Sequence, residues 1–308
     1  MEKILISASS FGKADREPLN RLQEKGFTVL FNPYGRRLSE AEVKELLLEH
    51  RPAALLAGVE PLTEAVLRAA SPGLKVISRI GAGLDSVDLK TAGDLGIRVT
   101  NTPDAPTLPV AELTLGLILS MLRFIHISDA SIRRKEFVRP QGRLLSGKTL
   151  GIVGCGRIGS ALAGLLAGFE LNIIGCDPAY QLKTPHGNFR EIIEQEALLN
   201  KADLVSLHLP LTGDNYHLFG EKQLRKMKKG AYLINASRGG LVDEQALYRV
   251  LKSGHLAGAA LDTYEEEPYR GPLKDLDNVL LTAHIGSYTK EARIMMEQQA
   301  VDNLFDHM

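Results

Sequence analysis

A short apolar run, Leu150-Gly151-Ile152-Val153, leads straight into Gly154-Cys155-Gly156-Arg157-Ile158-Gly159, and the helical stretch Ala161-Leu162-Ala163-Gly164-Leu165-Leu166 follows at once. A strand that ends in a tight glycine turn and continues as a helix packed back on it leaves few architectures open. Gly154 permits the turn, Gly156 lets the backbone approach a pyrophosphate, and Gly159 allows close helix packing. The helix N-terminus then offers unpaired N–H groups to phosphate oxygens. Such a site also needs an acidic residue roughly 20 positions on, at the end of the next strand, to meet the ribose hydroxyls. Asp177 stands there, after Ile173-Ile174-Gly175-Cys176, and the following Pro178-Ala179-Tyr180 supply no Arg for a 2′-phosphate. The pattern predicts a dinucleotide site that favours NAD over NADP, formed by Gly154, Gly156, Arg157, Ile158, Gly159 and Asp177.

The same rhythm runs along the whole chain. Upstream, apolar strands at Ile4 to Ser7, Thr28 to Asn32, Ala54 to Ala57, Val76 to Arg79 and Val99 to Asn101 alternate with amphipathic helices such as Glu40 to Glu49. Downstream, Leu150 to Val153 is followed by Asn172 to Cys176, Leu204 to Leu207, Tyr232 to Asn235, Ala259 to Leu261 and Val279 to Thr282. Alternation of this kind predicts parallel α/β structure, and six strands suit a complete dinucleotide-binding sheet. A long apolar helix from Pro109 to about Ile127, then a basic, irregular stretch from Arg133 to Lys148, connect the two series. At 308 residues there is room for two domains of about 150 residues each. The last helix, Lys290 to about Asp306, follows every strand, and its simplest destination is the first domain. The expected organisation is a discontinuous substrate domain, 1–100 and 285–308, with a nucleotide-binding domain, 101–284, inserted into it. The two should close around their ligands, hinged near residues 100 and 285, and exclude water.

Composition removes several function classes. Lys plus Arg equals Asp plus Glu, at 37 each, so no long-range field draws the chain to nucleic acid or an anionic membrane, and a small molecule is the expected ligand. Cys155 and Cys176 are too few for a disulfide framework or a metal cluster, and at small-residue positions beside the glycine turn they read as packing residues. The first residues, Met1 to Ser7, lack a signal peptide's apolar run, and no stretch reaches the roughly 20 apolar residues of a membrane span. A cytoplasmic protein is expected. His50, His126, His186, His217, His255 and His307 show no metal-ligand spacing, so no metal is expected. Because the Pro109 to Ile127 helix is apolar nearly all round, it needs more cover than one domain gives, which predicts a homodimer.

Three polar segments lie just after strands of the second series, where ligands collect in doubly wound folds. They are Asn235-Ala236-Ser237-Arg238-Gly239-Gly240, Asp262-Thr263-Tyr264-Glu265-Glu266-Glu267-Pro268 and Thr282-Ala283-His284-Ile285-Gly286-Ser287. Reduction of a 2-keto acid needs a cation for the carboxylate, a proton for the developing alkoxide and a hydride donor held face-on. A guanidinium grips a planar carboxylate in a fork, so Arg238 is the expected anchor and carbonyl polariser. His284 is the expected proton carrier, since imidazole titrates near neutrality and a carboxylate on its far nitrogen fixes the tautomer. Glu265, Glu266 and Glu267 all compete for that carboxylate role on the residues alone.

Taken together the segments resemble the D-isomer-specific 2-hydroxyacid dehydrogenase family, and look most like its phosphoglycerate dehydrogenase branch. The resemblance covers nearly the whole chain, including Asn101-Thr102-Pro103, Val110-Ala111-Glu112-Leu113-Thr114-Leu115-Gly116-Leu117, Gly147-Lys148-Thr149-Leu150-Gly151-Ile152-Val153-Gly154 and Val205-Ser206-Leu207-His208-Leu209-Pro210-Leu211-Thr212. It implies an α/β fold of two doubly wound domains, a Rossmann NAD-binding domain inserted into a flavodoxin-like substrate domain. It implies catalysis by Arg238, Glu267 and His284, and so selects Glu267 among the three carboxylates. It also implies that Asp262 and the His208 to Thr212 loop, with His208, Pro210 and Thr212, line the nicotinamide half of the cofactor site, to which Ala236, Ser237 and Gly286 also contribute as cofactor-binding residues. In the first domain, Arg79-Ile80-Gly81-Ala82-Gly83-Leu84-Asp85 resembles the loop whose backbone N–H groups hold the substrate carboxylate, which implies substrate binding by Arg79, Ala82 and Gly83.

The chain departs from that branch at the loop Gly58-Val59-Glu60-Pro61, where phosphoglycerate dehydrogenases often carry Arg for the substrate phosphate. A Glu there repels phosphate unless Arg36, Arg37 or Arg79 replaces the missing cation, and glyoxylate or hydroxypyruvate is the alternative substrate. The chain stops at Met308, so an appended serine-binding regulatory module is not expected. A reading from another class is an NAD-sensing binding protein like the corepressors that resemble this family; the complete Arg, Glu and His set speaks for an enzyme. Formate dehydrogenases carry Gln where this chain has Glu267, and are disfavoured for that reason.

Overall fold

A computed structural model describes residues 2–177 and 188–308. Pro178, Ala179, Tyr180 and His186 therefore lie outside the described residues. The chain divides into two compact units, Met1–Pro106 with Ser287–Met308, and Thr107–Gly286.

The first unit holds strands β1 (Lys3–Ile6), β2 (Thr28–Phe31), β3 (Ala54–Ala57), β4 (Val76–Arg79) and β5 (Arg98–Thr100), joined by helices α1 (Glu17–Glu24), α2 (Glu40–His50), α3 (Glu64–Ala70) and α4 (Leu89–Asp94). All pairs are parallel, in the order β2-β1-β3-β4-β5, the flavodoxin-like order of a doubly wound sheet. Parallel strands covered on both faces need apolar side chains on both; Ala54, Leu55, Leu56 and Ala57 of β3 are all buried. Helix α2 starts where Ser39 and Glu42 form a reciprocal capping box. The final helix, Lys290–Phe305, packs in this unit on β4, with Ala292, Met296, Ala300 and Leu304 in the core.

The second unit begins with α5 (Thr107–Arg123) and α6 (Ile125–Arg133), followed by β6 (Thr149–Val153), α7 (Arg157–Leu165), β7 (Asn172–Cys176), β8 (Glu191–Ile192), α8 (Gln195–Lys201) and β9 (Leu204–Leu207). It continues with α9 (Glu221–Lys226), β10 (Tyr232–Asn235), α10 (Glu244–Lys252), β11 (Gly258–Leu261) and β12 (Val279–Leu281); the Lys290–Phe305 helix is α11. The seven strands are parallel in the order β12-β11-β10-β9-β6-β7-β8. The sheet reverses direction of winding between β6 and β9, the point at which such folds bind ligands.

Four expectations need correction. The sheet has seven strands, since the two-residue β8 adds one beyond the six read from hydrophobic runs; a strand that short carries no periodicity. The expected helix from Pro109 to Ile127 is two helices bent by 68°. Phe124 takes a left-handed conformation (φ 52°) between them, and Arg143 N–H caps the end of α5 by donating to Leu122 O at 2.8 Å. The first seam falls after Pro106, not at 100, because Thr102 accepts a hydrogen bond from Gly81 and Ala105 packs with Ile4 and Leu56. The second falls after Gly286, not at 284, because Asp262 holds Ile285 and Gly286. Among the described residues no single helix is long and apolar enough to cross a membrane.

Candidate active site

The glycine turn after β6 has the geometry its sequence suggested. Gly154 has φ 99°, and a Cβ there would lie 2.6 Å from the His208 carbonyl oxygen, so the position excludes any side chain. Gly159 is pressed against the Gly154 carbonyl and Ile152, which brings α7 hard onto β6. At Gly156, by contrast, nothing lies within 4 Å of where a Cβ would stand, and no side chain caps α7. The result is a cradle closed behind and open in front, with helix N–H groups facing the opening, and it fits a pyrophosphate. Asp177, at the end of β7, reaches back so that its Oδ2 accepts from the Cys155 N–H at 2.8 Å. Burial pushes the Cys155 and Cys176 thiols up to about 12 and about 11. Both stay protonated, and Cys155 packs against Gly175.

The ends of β9 and β10 come next along the sheet. His208 N–H donates to Val153 O at 2.7 Å, and its Nε2 lies 2.8 Å from Ser206 Oγ. His208 is half-buried with its Nδ1 shielded from solvent, and desolvation of the ring pushes it down to about 4, so this imidazole is neutral at working pH. Pro210 and Thr212 follow it; Asn215 braces this loop by accepting from Thr212 N–H at 2.7 Å and donating to Pro210 O at 2.8 Å. After β10, the buried Asn235 ties its own turn, accepting from Ser237 N–H and Oγ–H and donating to Arg238 O. Ala236 and Ser237 are buried in this turn, while Arg238 is half-buried and donates from Nη1 to Ser237 O at 2.8 Å. Gly239 leaves no room for a Cβ against the Tyr264 backbone, so the Arg238 turn lies directly on the loop after β11.

That loop and the one after β12 carry Glu267 and His284. His284 has φ 52°, and its Nδ1 lies 2.9 and 3.0 Å from the two oxygens of Glu267. A carboxylate only accepts, so Nδ1 carries the proton and Nε2 is the nitrogen left to exchange one. Side-chain exposure is 48% for His284 and 34% for Glu267, enough for a substrate to reach. Asp262, 1% exposed, holds the His284 turn in place: Oδ1 accepts from Thr282 Oγ at 2.6 Å and Ile285 N at 2.9 Å, and Oδ2 from Gly286 N at 2.8 Å. Of the rival carboxylates, Glu266 is exposed and Glu265 faces Tyr216 and His217. Arg238 follows β10 and His284 follows β12, with β11 between, so both lie on the carboxyl edge of one sheet.

In the first unit, Arg79 ends β4 and donates to Ile80 O. Gly81 follows with φ 139°, its N–H held by Thr102 Oγ1 at 2.8 Å, and Asn101 Nδ2 donates to Ala82 O at 2.7 Å. Among the described residues, no acceptor meets the Ala82 or Gly83 N–H. The loop is therefore fixed through its carbonyls and through Gly81, with two adjacent amides suited to an anion.

The family model for the NAD binding domain of D-isomer specific 2-hydroxyacid dehydrogenases matches residues 115–286. The chain belongs to that family. It is an NAD-dependent D-2-hydroxyacid dehydrogenase. Among its relatives, a glyoxylate reductase of Thermofilum pendens is 45% identical over 261 residues, covering 82% of this chain and 77% of the relative. A D-3-phosphoglycerate dehydrogenase of Methanocaldococcus jannaschii is also 45% identical, over 224 residues covering 71% of this chain and 43% of that longer protein. A crystal structure of a Thermus thermophilus protein superposes with a TM-score of 0.89 at 37% identity, covering 98% of this chain and 96% of that one.

Within this dehydrogenase the structure brings Glu267 onto His284, sets Arg238 on the same sheet edge, and joins Asp177 to the glycine turn. It places Arg79, Ala82 and Gly83 together on a loop of the first unit. What sequence reasoning missed is the bracing: Asn101 under Ala82, Asn235 within the Arg238 turn, and Tyr216 with His217 on Glu265. Asn101 lay inside a motif already noted. The other contacts join separate loops and carry no local signal.

Proposed function

We propose that this dehydrogenase reduces a short 2-keto acid without a second anionic group, glyoxylate or hydroxypyruvate, to the corresponding 2-hydroxy acid, the D isomer in the case of hydroxypyruvate. The observation that carries the chemistry is the hydrogen bond of His284 Nδ1 to Glu267 beside the Arg238 turn. NADH supplies the hydride when bound, with Gly154, Gly156, Arg157, Ile158, Gly159 and Asp177 at the pyrophosphate and adenosine. The nicotinamide half is assigned to His208, Pro210, Thr212, Ala236, Ser237, Asp262 and Gly286. Arg238 grips the substrate carboxylate and polarises the carbonyl. Ala82 and Gly83, on the loop that Arg79 opens, are assigned to substrate binding through their backbone N–H groups. As C2 receives the hydride, His284 Nε2–H passes its proton to the forming alkoxide, and Glu267 steadies the imidazole through Nδ1.

The choice of substrate rests on Glu60. Its side chain is 1% exposed, its Oε1 accepts from Ser7 Oγ and from Gly58 N–H, and burial raises its pKa. The loop after β3 thus carries no cation of its own, and Arg37 lines the cleft beside Pro61 and Thr63. Arg36 is committed to a two-point ion pair with Glu42, at 2.6 and 3.0 Å, and the positive charge of Arg79 acts on Glu60. A second reading, oxidation of D-3-phosphoglycerate in serine biosynthesis, is favoured by the Methanocaldococcus relative. NADH oxidation measured with glyoxylate, hydroxypyruvate, phosphohydroxypyruvate and 2-oxoglutarate separates them. The first two should give the highest kcat/KM, and a preference for phosphohydroxypyruvate would reverse the assignment.

A corepressor-like binding protein would have no need of the Glu267 to His284 bond. We further propose a cytoplasmic homodimer. The strip of Ile125, Ile132, Phe137, Val138 and Leu144 along α6 and the following coil is exposed, Phe137 to 82%, an apolar area of the kind that subunit interfaces cover. Analytical ultracentrifugation returning a monomer would overturn the dimer.

A further inference from the structure

The geometry points to Tyr216 and His217 as positioning residues for the Glu267–His284 pair, acting through Glu265; this rests on the proposed acid–base role of that pair. Glu265 and Glu267 lie two residues apart on the loop after β11 and face different imidazoles. Glu265 Oε2 accepts from Tyr216 OH at 2.9 Å, and its Oε1 lies 3.0 Å from His217 Nε2. That second contact is within hydrogen-bonding distance but lacks hydrogen-bond alignment. The Glu265 backbone is tied as well: its N–H donates to Glu244 Oε1 at 2.8 Å, and Glu244 N–H donates to Glu265 Oε1 at 3.3 Å.

The clamp is itself held. His217 has φ 54°, its N–H donates to Gly240 O at 2.7 Å, and its ring stacks on Tyr216 with centroids 4.0 Å apart. The Tyr216 ring fills the space over Gly240, where a Cβ would come within 3.0 Å of it. The loop after β9 therefore grips both the turn that bears Arg238 and the loop that bears Glu267. From Glu265 the path to the acid–base pair is short. Tyr264 N–H donates to Glu267 Oε1 at 3.3 Å, and Tyr264 OH donates at 2.7 Å to Thr282 O, two residues before His284. Glu266, between the two gripped carboxylates, is exposed. Without the hold on Glu265, the loop that carries Glu267 loses its tie to the loop after β9.

His217→Gln and Glu265→Gln should each lower kcat about tenfold, less than the roughly hundredfold that a 1 Å misplacement can cost. KM for the keto acid and the NADH Kd from fluorescence titration should stay within about twofold of the parent. Tyr216→Phe removes only a hydroxyl and should cost about threefold, which keeps the test open if a larger change impairs folding. The deciding measurement is a double-mutant cycle. If Glu265 acts through Glu267, His217→Gln should have no further effect on kcat in a Glu267→Gln background. Multiplying effects in that background, an unchanged kcat, or a change confined to NADH Kd would each overturn the inference. Full turnover by Glu267→Gln alone would instead remove the acid–base reading beneath it, and the inference with it.

Discussion

The two units are built on the same plan and use it differently. Each is a parallel sheet with helices on both faces, in the orders β2-β1-β3-β4-β5 and β12-β11-β10-β9-β6-β7-β8, and each gathers polar groups at the carboxyl edge of its strands. In the second unit that edge carries side chains locked to one another: Glu267 on His284, Glu265 on His217, and Asp262 on Ile285 and Gly286. In the first unit the corresponding loop is held by Thr102 on Gly81 and Asn101 on Ala82, and its Ala82 and Gly83 amides are the groups suited to an anion. Backbone amides can hold an anion of fixed shape, but they do not serve as general acid or base. One edge is equipped to bind, the other to bind and react.

Kinetics can break that division. His284→Ala removes the proposed proton carrier and should lower kcat about a thousandfold while NADH still binds, measured by stopped-flow turnover and fluorescence titration. Asp262→Asn is subtler. Whichever way the amide turns, its NH2 faces a donor, Ile285 or Gly286 N–H, and the turn that fixes His284 opens; kcat should fall about a hundredfold. In the first unit Asn101→Ala frees the Ala82 carbonyl. KM for the keto acid should rise about tenfold with kcat nearly unchanged, the signature of lost uniform binding. A kcat defect with normal KM for Asn101→Ala would show that the first unit takes part in the chemical step.

Much of this was legible in the sequence because parallel α/β structure writes itself locally. Strands such as Ala54–Ala57 and Leu204–Leu207 are unbroken apolar runs, and the glycine turn declares its φ and its open face through the absence of side chains. Asp177 was found by its interval from the turn. Glu267 was chosen over Glu265 and Glu266 by resemblance, since three adjacent carboxylates have no order among themselves until a partner selects one. The break at Phe124, the strand at Glu191–Ile192, and the seams at Pro106 and Gly286 depend on contacts between distant segments, such as Arg143 N–H on Leu122 O. Asp262 could be placed at the edge but not assigned its task, because the donors it holds lie on another loop.

The smallest effect concerns His208, whose imidazole stays uncharged in the folded protein. Burial holds it at about 4 in the folded protein, against about 6.5 when unfolded. The unfolded chain therefore binds the extra proton between these values. The stability this difference represents is complete above pH 6.5 and is lost as pH falls towards 4, a total on the order of 3 kcal/mol. About 2 kcal/mol of it should be gone by pH 5. His208→Gln keeps a partner for Ser206 Oγ and cannot titrate. Its Tm should fall less between pH 7 and pH 5 than that of the parent, by roughly 5 °C. Equal falls in both proteins would mean that His208 accepts a proton in the folded state, and that the second unit's edge holds a further cation beside the glycine turn.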